Sequence, residues 1–203
     1  MKVALIGVTG RAGSRLLAEL LARGHVVTGI AHTAAPIEAT RSLSIEIADA
    51  RDASALAPVL VGHDAVISAA RFVSSDADAL IAATKQAHVP RLLVVGGAGS
   101  LEVAPGQALV DSPGFPQAYR EEAQAGRAFL AVLRAEKTLD WTFLSPSADF
   151  APGFRTGHFR LGTDALLVDA HGRSWISMED FAVAFVDELE RPQHHRARFT
   201  AGY

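Results

Sequence analysis

Apolar and polar residues alternate along this chain in blocks. Short apolar runs (KVALIG, HVVTGIA, SLSIEIA, DAVISAA and RLLVVGG) each fit a strand buried on both faces, and amphipathic segments with helical spacing separate them. In GSRLLAELLARG the stripe Leu16, Leu17, Leu20 and Leu21 recurs at helical intervals, with Gly24 placed to end the helix. DASALAPVLVG predicts a short helix with Pro58 near its first turn or kinking it, and SDADALIAATKQAH predicts another helix. This alternation predicts an α/β fold: a doubly wound, mostly parallel sheet with helices on both faces.

After Ser100 the pattern weakens. LEVAPGQALVDSPGFP carries repeated turn signals and little periodicity, so an irregular segment is expected near residues 98–118. A helix from about Gln117 to Lys137 and a strand LDWTFLS restore the alternation. A second irregular segment near 146–175 opens with PSADFAPGFRTG, and within it HFRLG and ALLVD predict a hairpin or short added strands. SMEDFAVAFVDELE predicts a helix opened by a capping box of Ser177 and Asp180, and ARFTAG predicts a last strand. No repeat or linker divides the 203 residues, which read as one domain.

Composition narrows the function classes. A hydrophobic content of 49% fills a sizeable core, while a net charge of -3 and scattered arginines argue against a nucleic-acid partner. The absence of cysteine removes disulfides, thiolate nucleophiles and cysteine-held metals. No apolar run approaches the roughly 20 residues that span a bilayer, and the opening MKVALIGVTG breaks at Gly7 to Gly10 before it resembles a leader. The expectation is a cytoplasmic protein, monomer or homodimer, with no membrane or nucleic-acid partner.

The chemistry begins at LIGVTGRAGS, where Gly7, Gly10 and Gly13 follow a G-x-x-G-x-x-G spacing between a predicted strand and a predicted helix. In that context backbone N–H groups and a helix N-terminus can cradle a phosphate; a glycine-rich turn without a ligand is the alternative. The stretches GVTGRAG, DAVISAA, LLVVGGAGSLEV, LDWTFLSPS and ISMEDFAVA together resemble the atypical branch of the short-chain dehydrogenase/reductase superfamily, near NADH-flavin reductases and NmrA-like proteins. The resemblance covers the whole chain. It implies a Rossmann-like NAD(P)-binding fold with a small C-terminal substrate lobe, and cofactor contacts from Gly7, Thr9, Gly10, Arg11, Ala12, Gly13, His32, Asp49, Ala69 and Ala70. The end of the second strand, IAHTAAP, carries no acid to hold a ribose diol, and Arg11 and His32 can face a 2'-phosphate. NADP is therefore expected, with NAD as the alternative.

Many enzymes of that superfamily use a Tyr-x-x-x-Lys pair as proton donor. Here the tyrosines are Tyr119 and Tyr203, the lysines are Lys2, Lys85 and Lys137, and Ala123 stands four residues after Tyr119. The pair is absent. Ser100, after the fifth strand, and Tyr119 remain as candidate catalytic residues, with Phe115, Phe150 and Phe154 as candidate walls of a flat apolar pocket. His194 and His195 have no spaced carboxylate partner, so no metal site is expected there. The expected function is an NAD(P)H-dependent reductase passing hydride to a flavin, a quinone or another small planar substrate. A dinucleotide sensor of the NmrA type without turnover, or an epimerase or isomerase, is the alternative.

Overall fold

The computed structural model describes residues 1–34 and 36–203. In chain order the elements are β1 (Lys2–Ile6), α1 (Arg11–Ala22), β2 (Val26–Ala31), β3 (Leu43–Ile47), α2 (Ala53–Leu60), β4 (Ala65–Ser68), α3 (Ala77–Gln86), β5 (Arg91–Val95) and the short pair β6 (Glu102–Ala104) and β7 (Gln107–Ala108). There follow α4 (Gln117–Ala135), β8 (Asp140–Pro146), β9 (Asp149–Ala151), β10 (Arg160–Gly162), β11 (Trp175–Ser177), α5 (Met178–Glu190) and β12 (Ala197–Gly202).

The main sheet has the order β10-β12-β8-β5-β4-β1-β2-β3, and within it β10 alone runs antiparallel to its neighbour. Side chains alternate across the sheet, so each strand feeds two cores. Val3 and Leu5 of β1 face α1 and α5, whereas Ala4 and Ile6 face the layer of α2, α3 and α4. Leu16 and Leu20 of α1 and Phe181 and Phe185 of α5 are buried against the first face. Truncating such a residue, as in Leu5→Ala, costs about 2–5 kcal/mol. Parallel strands covered on both faces need continuous apolar runs, which is why β4 and β5 are buried along their whole length.

Helix ends follow local chemistry. The side chains of Asp52, Asp76 and Ser177 accept first-turn N–H groups and cap α2, α3 and α5. The Ser177 half of the predicted capping box forms, but the Asp180 carboxylate turns away to Thr156, Gly157 and Tyr203. Pro58 lies inside α2 near its end, where the missing N–H removes one bond and the helix stops at Leu60.

The irregular segments differ from expectation in detail. Of the two expectations for HFRLG and ALLVD, HFRLG gives a short added strand rather than half of a hairpin: Arg160–Gly162 pairs with β12 at the edge of the main sheet, and Ala165 meets Glu102 through an isolated bridge. PSADFAPGFRTG contains β9, which pairs with β11 as a separate two-stranded ribbon. The segment after Ser100 folds as β6 and β7 with short 3-10 turns on either side. No helix among the described residues is long and apolar enough to cross a membrane.

Candidate functional site

The strand order reverses between β1 and β4, and ligands of open parallel sheets bind outside the strand carboxyl ends at such a point. Here β1 leads into Gly7, whose φ of +78° and N–H bond to Ile30 O at 2.9 Å turn the chain back over the sheet. Gly13, one turn into α1, lies against this loop, and a Cβ there would fall 2.1 Å from Gly7 O. The helix therefore starts directly over the strand end. Gly10 at its N-cap offers no capping side chain, and no acid stands in the first turn. The first-turn N–H groups thus lack a side-chain acceptor and the helix dipole is uncompensated, as an anion site requires.

A cleft of about 440 Å³ opens beside this loop. Gly7, Thr9, Gly10, His32, Asp49, Ala69 and Ala70, all expected at the cofactor, line it. The other three expected residues sit outside its walls: Ala12 packs on the core, Gly13 lies behind the loop, and Arg11 is an exposed helix residue. Arg51 and Arg71 line the cleft and were not singled out from the sequence. The Asp49 carboxylate accepts from Arg51 Nη2 at 3.0 Å and Arg51 N at 2.9 Å, which pull its pKa down to about 2. His32 Nε2 lies 3.8 Å from the same carboxylate. Arg51, on the turn after β3, is thus a cation of the cleft wall paired with the Asp49 carboxylate. These residues fit a dinucleotide: the cradle would be filled by a Cβ, the helix end is uncapped, and charged groups stand at the far rim.

A second cavity of about 360 Å³ lies across the next strand ends. Its walls are largely apolar and small: Phe72 after β4, Gly97, Ala98 and Gly99 after β5, and Ala123 and Gly126 on α4. Ser100 and Tyr119 both line it, although Tyr119 is 67% exposed at the rim. Phe115 contributes to the wall as expected. Phe150 and Phe154 do not: Phe150 packs on Phe181 at 4.8 Å, and Phe154 is 87% exposed on the irregular segment after β9. Phe72 takes their place, stacked on Phe143 at 5.9 Å.

Cleft and cavity meet at the loop after β4. Ala69, Ala70 and Arg71 border the cleft, Phe72 borders the cavity, and Glu122 of α4 holds the loop through Phe72 N at 2.6 Å and Arg71 Nη2 at 3.4 Å. The arrangement can hold a dinucleotide with one end directed toward an apolar slot. His194 bonds Glu188 and His195 bonds Asp140 at the opposite, amino end of β8, and among the described residues no cluster suited to a metal ion occurs.

A family model described as NAD(P)H-binding matches residues 7–192. The chain belongs to this NAD(P)H-binding family. It is 40% identical to the uncharacterized protein YwnB of Bacillus subtilis strain 168, over 98% of this chain and 97% of that one. Among solved structures it is similar to a candidate epimerase from Bacteroides thetaiotaomicron, 44% identical with a TM-score of 0.94, covering 100% of this chain and 96% of that one. It is also similar to a candidate NADH-flavin reductase from Streptococcus pneumoniae, 34% identical with a TM-score of 0.85, covering 100% and 99%. The family thus combines an NAD(P)H-binding, oxidoreductase-like fold with members assigned to different chemistries, and the reaction has to be argued from the site.

Proposed function

We propose that this protein is an NAD(P)H-dependent reductase that delivers hydride to a planar conjugated acceptor, a flavin or a quinone. The observation that carries the reading is the contiguity of the two cavities: Ala69, Ala70, Arg71 and Ser74 border the dinucleotide cleft, and Phe72 on the same loop borders the apolar slot. Two reactants held on adjacent strand ends react as if in one molecule, which is the main source of rate where no acid or base is needed.

When bound, the nicotinamide would supply a hydride. The chain's own residues hold the cofactor through the Gly7–Gly13 loop, align the acceptor between Phe72 and the small residues of α4, and leave the rim open to water. A reduced quinone or flavin spreads its charge over a conjugated system, so its proton can come from solvent. A simple ketone becomes an alkoxide and needs a placed donor. Tyr119, exposed at the rim and with no lysine four residues on, is poorly suited to that task. Arg51 at the far end of the cleft supports NADPH as the preferred donor, since its Nη1, which the Asp49 pair does not use, can donate to the 2'-phosphate.

The test is steady-state NADPH consumption with FMN, 1,4-naphthoquinone and simple ketones, for the wild type and Tyr119→Phe. Turnover of the planar acceptors, retained in Tyr119→Phe, is the expected result. Ketone reduction that vanishes in Tyr119→Phe would overturn the mechanism, and tight NADPH binding without turnover would mark a sensor.

A further inference from the structure

Beyond the apolar slot lies a buried cation that the reductase reading does not require. Arg198 stands on β12, and its side chain is only 3% exposed. A buried guanidinium is costly unless its donors are used. Its Nε donates to Asp164 Oδ1 at 2.8 Å, its Nη2 bonds the same carboxylate, and its Nη1 points to Ser100 Oγ at 3.3 Å. Asp164 is held in turn by Arg134 of α4 at 3.0 Å, and its carbonyl accepts Glu102 N at 2.8 Å, two residues beyond Ser100. The guanidinium is fixed at one end and directed at one hydroxyl.

A hydroxyl that accepts from a cation keeps its own hydrogen for another partner. Among the described residues, Arg198 is the hydrogen-bond partner of Ser100 Oγ, and Ser100 lines the apolar slot. We propose that Arg198 is a positioning residue that commits Ser100 to donate into the slot, and that the slot therefore selects acceptors bearing a carbonyl oxygen on the conjugated ring. The nearby charge polarises the hydroxyl, and the bond strengthens as the oxygen gains electron density during hydride arrival. Quinones and flavins carry such an oxygen; an unsubstituted aromatic of the same shape does not. The inference rests on the reductase reading for the benefit to rate, but its binding consequence stands apart from turnover.

The experiment measures binding and rate on one set of proteins: wild type, Ser100→Ala, Arg198→Met, Arg198→Lys and the double variant Ser100→Ala/Arg198→Met. Affinity for 1,4-naphthoquinone and for naphthalene is measured by equilibrium titration in the presence of NADP, and quinone reduction is followed with NADPH. Quinone adducts of thiols do not interfere, because the chain has no cysteine. Ser100→Ala and Arg198→Met are each expected to weaken quinone affinity about five- to tenfold, the effect of one hydrogen bond, while leaving naphthalene and NADPH affinity unchanged. Arg198→Lys restores part of the loss. The double variant loses no more than either single one, because Arg198 acts through Ser100. Additive losses, or equal weakening of naphthalene, would mean that Arg198 only supports the fold and would overturn the proposal. If Arg198→Met does not fold, Arg198→Lys in the Ser100→Ala background decides the same question. A wild type that binds quinone with this pattern but never reduces it refutes the reductase reading and leaves the Arg198 assignment standing.

Discussion

Glu122 Oε1 accepts the backbone N–H of Phe72 at 2.6 Å, and this bond joins the helix walling the apolar slot to the loop flooring the dinucleotide cleft. The same carboxylate meets Arg71 Nη2 at 3.4 Å. Glu122→Ala leaves the Phe72 N–H without its charged acceptor, a loss of about 1.5–3 kcal/mol in local order. The expected outcome is a higher KM for both NADPH and quinone with a small fall in Tm. A rise confined to one substrate, measured by steady-state kinetics, would show that Glu122 does not couple the two cavities.

Gly10 and Gly13 separate binding from folding. A Cβ at Gly13 would sit 2.1 Å from Gly7 O, so Gly13→Ala is expected to destabilise the protein itself. A Cβ at Gly10 meets Gly7 O at 3.2 Å, a contact that a slight shift relieves, and Gly10 itself lines the cleft. Gly10→Ala should therefore stay folded by circular dichroism while NADPH affinity, measured by calorimetry, falls at least tenfold. Full affinity in a folded Gly10→Ala protein contradicts the cradle.

Cofactor choice is expected to follow Arg51. Its fork at the cleft rim is worth about 1.5–3 kcal/mol to a phosphate, so Arg51→Ala should lower the NADPH-to-NADH affinity ratio by roughly ten- to a hundredfold. Arg11, an exposed residue outside the cleft walls, should matter less. Titrations of both variants with both cofactors check this, and a ratio erased by Arg11→Ala but kept in Arg51→Ala would reverse the assignment.

Acid stability depends on Asp180, fully buried at the start of α5. Burial works to raise its pKa, but the hydroxyls of Thr156 and Tyr203 and the N–H groups of Gly157 and Thr156 outweigh it and hold the carboxyl below its ordinary value. A depressed folded pKa contributes stability that is present above the unfolded value and is lost as pH falls through the folded one. Tyr203→Phe removes the 2.6 Å bond from Tyr203 Oη. Its Tm should fall relative to wild type at neutral pH, and the gap should narrow as pH falls below the ordinary carboxylate range and the carboxyl is protonated in both. Thermal melts across that range check the sign; a gap that widens in acid would contradict it.

The parts of the site that were legible in the sequence are local ones. Gly7, Gly10 and Gly13 lie in one strand-turn-helix unit, so their spacing and context carry the geometry, and His32, Asp49 and the pair Ala69 and Ala70 follow from their places at strand ends. The slot was less legible because distant segments build it. Phe72, Glu122 and Arg198 come from three elements, and their relation depends on sheet order. Phe150 misled because the β9–β11 pairing, invisible in a segment rich in turn residues, directs it into the core against Phe181. Arg51 does carry a sequence signal: it stands two residues after Asp49 on the turn leaving β3, within reach of the same carboxylate.

Anaerobic single turnover tests the central claim most directly. The protein loaded with NADPH is mixed with 1,4-naphthoquinone, and the nicotinamide absorbance is followed with protium or deuterium at the transferred position. The account predicts rapid oxidation of the bound cofactor that slows with deuterium and depends on the intact Gly10 cradle. Oxidation no faster than in free solution, with the cofactor bound and the quinone saturating, would contradict it.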